Sequence, residues 1–222
     1  MEVGIILMAG SGLRFGGETP KQFREIGGTA IYLHTLQKFI ESGLFHQIIL
    51  VCHPDWVEKV QSEIPQGAAI VVVPGGATRQ ESSWKGLQAC PPETKLVVIH
   101  DAVRPFVSEQ ILRKNIEMAR LHGAVDTCIP SADTIVRSED GKTISEIPLR
   151  SQYFRGQTPQ SFVFGLIYEA HQKTLKTNAS DDCLLVLEMN RPVEIVIGDE
   201  ANIKITTEVD LATAELLAGV DV

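Results

Sequence analysis

Much that would mark a secreted, membrane-bound or zinc-organised protein is missing from this chain. Its 222 residues include only four cysteines, Cys52, Cys90, Cys128 and Cys183. None stands in a CxxC pair, and their spacing fits no zinc pattern. Cys52 and Cys128 lie in apolar runs, as small buried thiols of a reducing cytosol do. No apolar run approaches the ~18 residues of a membrane span. The leading MEVGIILMAG has neither the basic start nor the small-residue cleavage site of a signal peptide. An excess of positive charge is also lacking: 20 Lys and Arg against 28 Asp and Glu give a net charge of −8. Nonspecific nucleic-acid binding needs a cationic surface to displace counterions, so that class is excluded. An anionic small substrate is not, because a few converging Lys and Arg can make one positive pocket. The expectation is a cytoplasmic protein with no nucleic-acid or membrane partner.

What is present fits one large α/β domain spanning residues 1–222. Short, wholly apolar runs alternate with helix-like stretches. Val3–Met8, Gln47–Cys52, Ala69–Val73, Leu96–His100 and Val125–Ile129 read as buried strands. Ile31–Ser42, Asp55–Ile64 with Asp55 as N-cap, Arg79–Gln88, and Ser108–His122 read as helices; Ser108 caps the last and Gly123 stops it. Such strands between helices predict a parallel sheet covered on both faces. The pattern changes at about 131–154. There TIVRS and TISEIPL flank Asp140-Gly141, a hairpin signal. A hairpin this short buries little alone. It is expected to reach out as a β-arm and pack on a second subunit; folding back on its own domain is the alternative. Helices at Phe164–Thr174, Asp181–Met189 and Glu208–Leu217, a strand at Val193–Ile197 and a strand-like IKITT complete the pattern.

The strongest chemical signal is Leu7-Met8-Ala9-Gly10-Ser11-Gly12-Leu13-Arg14 with Pro20-Lys21-Gln22-Phe23. It starts where the first strand ends, the place where open α/β sheets bind ligands. Gly10 and Gly12 let the backbone turn close to phosphate oxygens, and exposed amides there form an anion nest. Arg14 and Lys21 add two cations. The GK[ST] ending of a Walker A loop is missing, as is the third glycine of GxGxxG.

Three further clusters follow later strands. Gly75-Gly76 before Arg79 and Ser82 gives a close-approach turn, with the two side chains on one helix face. His100-Asp101-Ala102-Val103-Arg104 places a carboxylate at a strand end beside the triphosphate site. Asp101 there is a natural Mg²⁺ ligand, because Mg²⁺ takes one or two carboxylates plus phosphates and water. Asp181-Asp182 reads as a helix cap with first-turn electrostatics rather than an acid–base pair. Trp56 and Trp84 are expected to pack on helices, and His100 to be structural.

A-G-x-G-x-R followed by P-K-Q resembles the signature of the sugar-phosphate nucleotidyltransferases. With GGxxRxxS at Gly75–Ser82 and HDAxRP at His100–Pro105, the chain is similar to the cytidylyltransferases of the 2-C-methyl-D-erythritol 4-phosphate type. It also resembles their relatives, the ribitol-5-phosphate cytidylyltransferases. The likeness runs from Val3 to about Leu217. It implies a Rossmann-like, mostly parallel sheet of the nucleotide-diphospho-sugar transferase type, with a protruding arm that builds a homodimer.

The resemblance also implies roles. Met8, Ala9, Gly10, Ser11, Gly12, Gly75, Gly76, Arg79, Ser82, Asp101, Ala102 and Arg104 would hold CTP, with Gly75, Gly76 and Ser82 at the cytosine. Arg104 would hold the triphosphate or ribose. Ala77 stands where many relatives have Asp. Thr134, Arg150, Thr158 and Lys204 would bind the polyol phosphate, the arm residues crossing to the neighbouring subunit. Arg14, Lys21, Arg150 and Lys204 would be the catalytic charges, and Mg²⁺ on Asp101 would bridge the triphosphate. No activated Ser, Cys or His is needed, since the acceptor phosphate oxygen is already a nucleophile. Spacing from Arg14 to Lys21 and the Asp181-Asp182 pair favour the methylerythritol branch; 122–127 and 157–162 look more like the ribitol branch. A nonenzymatic nucleotide-binding regulator would have lost Arg14, Lys21 or Asp101, and all three are present.

Overall fold

Strand β1 (Glu2–Met8) is buried from Val3 to Met8 because its two faces meet different helical layers. Ile6 and Met8 face one apolar cluster, and Val3, Ile5 and Leu7 face the other. The computed structural model describes residues 1–10, 20–65, 67 and 69–219. A small hairpin, β2 (Glu25–Ile26) with β3 (Thr29–Ala30), leads into helix α1 (Ile31–Ser42). Then come β4 (Gln47–Cys52), α2 (Val57–Glu63), β5 (Ile70–Pro74), α3 (Arg79–Gln88), β6 (Leu96–Asp101), α4 (Glu109–His122) and β7 (Ala124–Pro130). After the arm follow β8 (Phe154–Val163), α5 (Phe164–Lys173), α6 (Asp182–Glu188), β9 (Glu194–Ile197) and α7 (Glu208–Leu217).

Seven strands form one sheet in the order β5-β4-β1-β6-β8-β7-β9. β1 runs parallel to β4 and β6, β4 to β5, and β7 to β9. Helices α1, α2 and α4 cover one face, through Leu36, Phe39, Val60, Leu112 and Ile116. Helices α3, α5 and α6 cover the other, through Leu87, Ile167 and Val186. Each such side chain, fully buried, contributes about 1.5–3 kcal/mol. α7 closes a third cluster, where Leu211 and Ala214 meet Ile26, Ile31, Val103 and Ile205. Among the described residues no helix is long and apolar enough to cross a membrane.

The mostly parallel sheet and its two helical layers are as expected, and so are the caps of α4. The Ser108 side chain accepts from Ile111 N–H at 3.2 Å. Gly123, at φ 93°, ends the helix with its N–H on Ala119 O.

Three expectations need correction. Asp55 does not cap α2: a 3₁₀ turn, Pro54–Trp56, intervenes, and the His53 ring accepts from Asp55 N–H. The IKITT segment is not a strand; Ile205 N–H makes a single bond, to Val103 O, while Ile203 and Ile205 pack toward α7. And β8, absent from the expected strands, lies inside the sheet, antiparallel to β6 and β7. It carries Gln157, Thr158, Pro159, Gln160 and Ser161, which do not read as a central strand. The β7–β8 register slips between Asp126 and Cys128, and Pro159 sits in that irregularity. The buried hydroxyls and amides there are paired: Thr127 Oγ1 donates to Pro159 O at 2.6 Å, Asn115 Nδ2 to Thr127 Oγ1, and Ser161 Oγ to Asn115 Oδ1.

Residues 131–153 protrude between β7 and β8. The Asp140-Gly141 turn forms, with Asp140 Oδ1 accepting from the Lys142 and Thr143 amides. Strand pairing behind it is reduced to one bridge, Arg137 with Glu146. Ile144, Ile147 and Leu149 on the arm are 61%, 62% and 65% exposed.

Candidate active site

A cleft of about 420 Å³ opens at the carboxyl ends of β1, β4, β5 and β6. Leu7, Met8, Ala9 and Gly10 form one wall, Gly76 to Arg79 and Ser82 another, and Lys21, Asp101 and Lys204 stand around it. Among the described lining residues Asp101 is the only carboxylate, against Lys21, Arg79 and Lys204. A protein of net charge −8 thus concentrates cations at the topological position where α/β sheets bind ligands. A hollow of about 570 Å³ lies between α5 and α6, lined by Lys173, Lys176, Leu185 and Glu188. It is larger, but it sits on the outer helical layer, away from the strand ends and their converging charges.

Local sequence dictates the walls. Gly75 is buried with its N–H on Cys52 O at 2.7 Å. A Cβ at Gly75 would come within 2.3 Å of Ala9 Cβ and 3.0 Å of Ser82 Oγ, so only glycine lets the β5 loop close on β1. Ser82 Oγ accepts from Gly76 N–H at 3.1 Å and donates to Thr78 O at 2.9 Å. Its hydroxyl therefore shapes the loop as well as lining the cleft. Two residues to which the sequence assigned no role hold the same walls. Lys85 Nζ donates to Gly75 O at 2.9 Å. Gln22 is buried, and its Nε2 donates to Met8 O at 2.8 Å and Gly10 O at 3.0 Å. The Gln of the P-K-Q segment thus fastens the start of the loop beside Lys21.

The floor is a line of alternating charge. Lys204 Nζ lies 2.7 Å from Asp101 Oδ2, and Arg79 Nε lies 3.7 Å from Asp101 Oδ1. Arg79 Nη1 lies 2.6 Å from the buried Asp182. Burial alone would raise the Asp101 pKa, but the Lys204 and Arg79 charges outweigh it and hold the carboxyl well below the usual range. The segment bearing Lys204 is pinned on its far side, where Asp210 Oδ2 accepts from the Thr206 and Thr207 amides.

Behind Asp101 runs a hydrogen-bonded relay. The Asp101 N–H donates to Thr158 Oγ1 at 3.1 Å, and Thr158 Oγ1 lies 3.0 Å from His100 Nδ1. His100 Nε2 lies 3.1 Å from Arg104 O. A carbonyl only accepts, so Nε2 carries the proton, Nδ1 accepts, and the Thr158 hydroxyl donates to it. Burial pushes the His100 pKa down to about 4, which keeps the ring neutral and the relay in this sense.

Met8, Ala9, Gly10, Lys21, Gly76, Arg79, Ser82, Asp101 and Lys204 are brought together as expected, with Gly75 packed behind them. Ser11, Gly12 and Arg14 lie outside the described residues. Others are placed differently from the expectation. Ala102 is wholly buried, its N–H on Leu7 O and its carbonyl accepting from Thr35 Oγ1. Arg104 does not line the cleft; it is buried, and its Nη1 donates to Asn202 O at 2.7 Å, tying two loops together. Thr158 is buried in the relay instead of facing a ligand. Thr134 and Arg150 are on the arm, outside the cleft of their own chain; Arg150 Nη1 donates to Ala132 O at 2.8 Å.

Asp181 caps α6, accepting from Cys183 N–H at 2.7 Å. Gln160 Nε2 bridges Asp181 Oδ2 at 2.6 Å and Asp126 Oδ1 at 3.0 Å. Burial pushes the Asp126 carboxyl up to about 6; the Gln160 bond opposes this and the Asp181 charge adds to it. Its pKa in the unfolded chain is about 3.9. The folded state therefore holds this proton more tightly. The stability it contributes is full below about pH 4 and lost as pH rises through about 6. Asp126→Asn, which keeps an acceptor for Gln160, is expected to flatten the fall in Tm between pH 4 and 7. Equal pH slopes for the two proteins would contradict this.

Among the described residues no three His, Cys, Asp or Glu side chains converge as a metal cage requires. A single carboxylate is nonetheless enough for Mg²⁺ when phosphates and water supply the other ligands. Asp101 Oδ1, 3.7 Å from Arg79 and beyond hydrogen-bond distance, keeps lone pairs available to a cation, so the residues fit.

The family model described as IspD, 2-C-methyl-D-erythritol 4-phosphate cytidylyltransferase, matches residues 3–219. The fold is similar to that of a 4-diphosphocytidyl-2C-methyl-D-erythritol synthase from Anaerococcus prevotii. The two are 33% identical with a TM-score of 0.86, over 98% of each chain. It is also similar to the 2-C-methyl-D-erythritol 4-phosphate cytidylyltransferase of Thermus thermophilus, at 35% identity and a TM-score of 0.79, over 99% of this chain and 100% of that one. The corresponding Francisella tularensis enzyme is 25% identical with a TM-score of 0.81, over 97% and 99%.

Proposed function

This chain belongs to the 2-C-methyl-D-erythritol 4-phosphate cytidylyltransferase family, and from that premise we propose how its residues carry out the transfer. As a nucleotidyltransferase of isoprenoid precursor synthesis, it moves CMP from CTP to 2-C-methyl-D-erythritol 4-phosphate. An oxygen of the acceptor phosphate attacks the α-phosphorus of CTP. The bond to the bridging oxygen breaks, and pyrophosphate leaves with the electron pair. Two anions must meet while charge spreads on the α-phosphorus, so catalysis is positioning plus electrostatic stabilisation. The observation that carries this reading is the gathering of Lys21, Arg79 and Lys204 around one carboxylate at the strand ends.

In this reading the Gly10 backbone and Lys21 hold the triphosphate, and Arg14 joins them. The Gly75–Gly76 turn takes the cytosine, and Lys204 aims the acceptor phosphate. Asp101 holds Mg²⁺, which neutralises triphosphate charge when bound. Arg104 and Thr158 act indirectly, by fixing the loops and peptide that carry Asp101. The exposed Ile144, Ile147 and Leu149 make the arm a dimer contact, and Thr134 and Arg150 reach the acceptor site of the partner subunit. Four free thiols, three of them buried, are consistent with a cytoplasmic location.

Pyrophosphate release, assayed with CTP and each polyol phosphate, tests the acceptor. The expected result is turnover with 2-C-methyl-D-erythritol 4-phosphate and little with ribitol 5-phosphate. The reverse preference would overturn the assignment.

A further inference from the structure

Asp182 reads from the sequence as first-turn electrostatics, yet its carboxylate does something else. Its side chain is 1% exposed, and it has no face on the cleft. It grips Arg79 Nη1 at 2.6 Å from one side and His171 Nε2 at 2.9 Å from the other. Its own N–H points to Gln160 Oε1 at 3.3 Å. His171 is 2% exposed at its side chain and stacked on Trp84, with centroids 5.7 Å apart and planes at 14°. The grip on Arg79 is therefore built on a rigid aromatic and helical backing.

Arg79 is held between two carboxylates at unequal distances. It is hydrogen-bonded to Asp182, and its Nε stops 3.7 Å short of Asp101 Oδ1. A guanidinium offers donors on two edges and pairs most strongly with a carboxylate when both oxygens are engaged. Take the Asp182 charge away, and Asp101 is the one carboxylate left within ion-pair distance of Arg79 among the described residues; the charge of Asp181, which caps the same helix, acts on Arg79 from farther off. Attraction across a short, partly desolvated gap would then close it. Asp101 Oδ1 would become occupied, and Arg79 would compete with Lys204 for the same charge.

We infer that Asp182, backed by His171, is a positioning residue for the transfer reaction: it holds Arg79 off Asp101, so that Asp101 Oδ1 and Lys204 stay available to the reactants. The inference rests on the roles given above to Asp101 and Lys204. It assigns Asp182 no contact with substrate.

The test is a double-mutant cycle in kcat/KM, Asp182→Asn with Arg79→Gln, read beside thermal unfolding. Asp182→Asn is expected to lower kcat/KM about 10–100-fold, as loss of an outer-shell partner does, with the loss falling more on kcat than on KM for CTP. In the Arg79→Gln background the same change is expected to cost no further activity, because its effect runs through Arg79. Asp182→Glu, which restores the charge, is expected to recover part of the activity. Should Asp182→Asn not fold, His171→Gln replaces it in the cycle: it loosens Asp182 without removing the charge, and a several-fold loss confined to the Arg79 background is expected. Losses that multiply in the two backgrounds, or a lower Tm with unchanged kcat and KM, would overturn the inference. Asp101→Asn separates this from failure of the underlying reading. If Asp101→Asn retains activity, the roles of Asp101 and Lys204 fall; if it is inactive while Asp182→Asn is unaffected, only the positioning role falls.

Discussion

Lys21→Ala is expected to lower kcat for pyrophosphate release by about 10²–10³, the usual loss for one preorganised charge donor. Preorganisation is visible in the neighbours. Lys21 opens a one-turn 3₁₀ helix, Lys21–Phe23, after the extended Pro20. Gln22 is bonded to the carbonyls of Met8 and Gly10. Phe23 is stacked on Trp56 at 4.4 Å and meets Tyr32 edge-on at 5.5 Å. The backbone under Lys21 is thus fixed on its C-terminal side, at the edge of the cleft that Lys21 lines. Charge on the leaving pyrophosphate grows between the bound ground state and the transition state, so the loss should fall on kcat more than on KM for CTP. Lys21→Arg should recover only part, because a planar fork does not replace a compact ammonium. A kcat within twofold of wild type for Lys21→Ala would remove Lys21 from the mechanism.

Arg150→Ala should act on the other substrate. In its own chain Arg150 braces the arm's root through Ala132 O and lines a hollow with Pro130, Ser131 and Leu149. The side chain is exposed there, and its remaining donors suit a phosphate. A hydrogen bond to a charged group is worth about 1.5–3 kcal/mol, so kcat/KM for the acceptor should fall roughly 10–150-fold. CTP binding, measured by calorimetry, should be unchanged. Lost CTP binding with an unchanged acceptor KM would contradict the assignment.

The contrast between these two residues reflects what a sequence can carry. Lys21 is legible because its setting is local: the next residue, Gln22, bonds the Met8 and Gly10 carbonyls a short way back in the chain. The parallel strands are legible because β1, β4 and β6 are apolar throughout, as burial on both faces requires. β8 is not, because its buried polar residues are satisfied by Asn115, Thr127 and His100, all distant in sequence. Arg104 looks like a phosphate ligand by its motif, but the carbonyl that takes its charge belongs to Asn202, far along the chain. Asp181 and Asp182 show the same division at adjacent positions. The cap of α6 is a local property and can be read from the sequence. The grip of Asp182 on Arg79 spans 103 positions and cannot. The arm is recognisable from its Asp140-Gly141 turn, although its strands barely pair and its isoleucines and leucine are exposed.

The central claim is that one chain's strand-end cleft and another chain's arm complete a single transfer site. Co-expressing the Lys21→Ala and Arg150→Ala chains, each with little activity by itself, measures this directly. In a mixed twofold dimer one site combines an intact cleft with an intact arm. Random pairing makes half the dimers mixed, so pyrophosphate release should return to about a quarter of wild type. Activity no greater than the average of the two variants assayed separately would contradict a shared site.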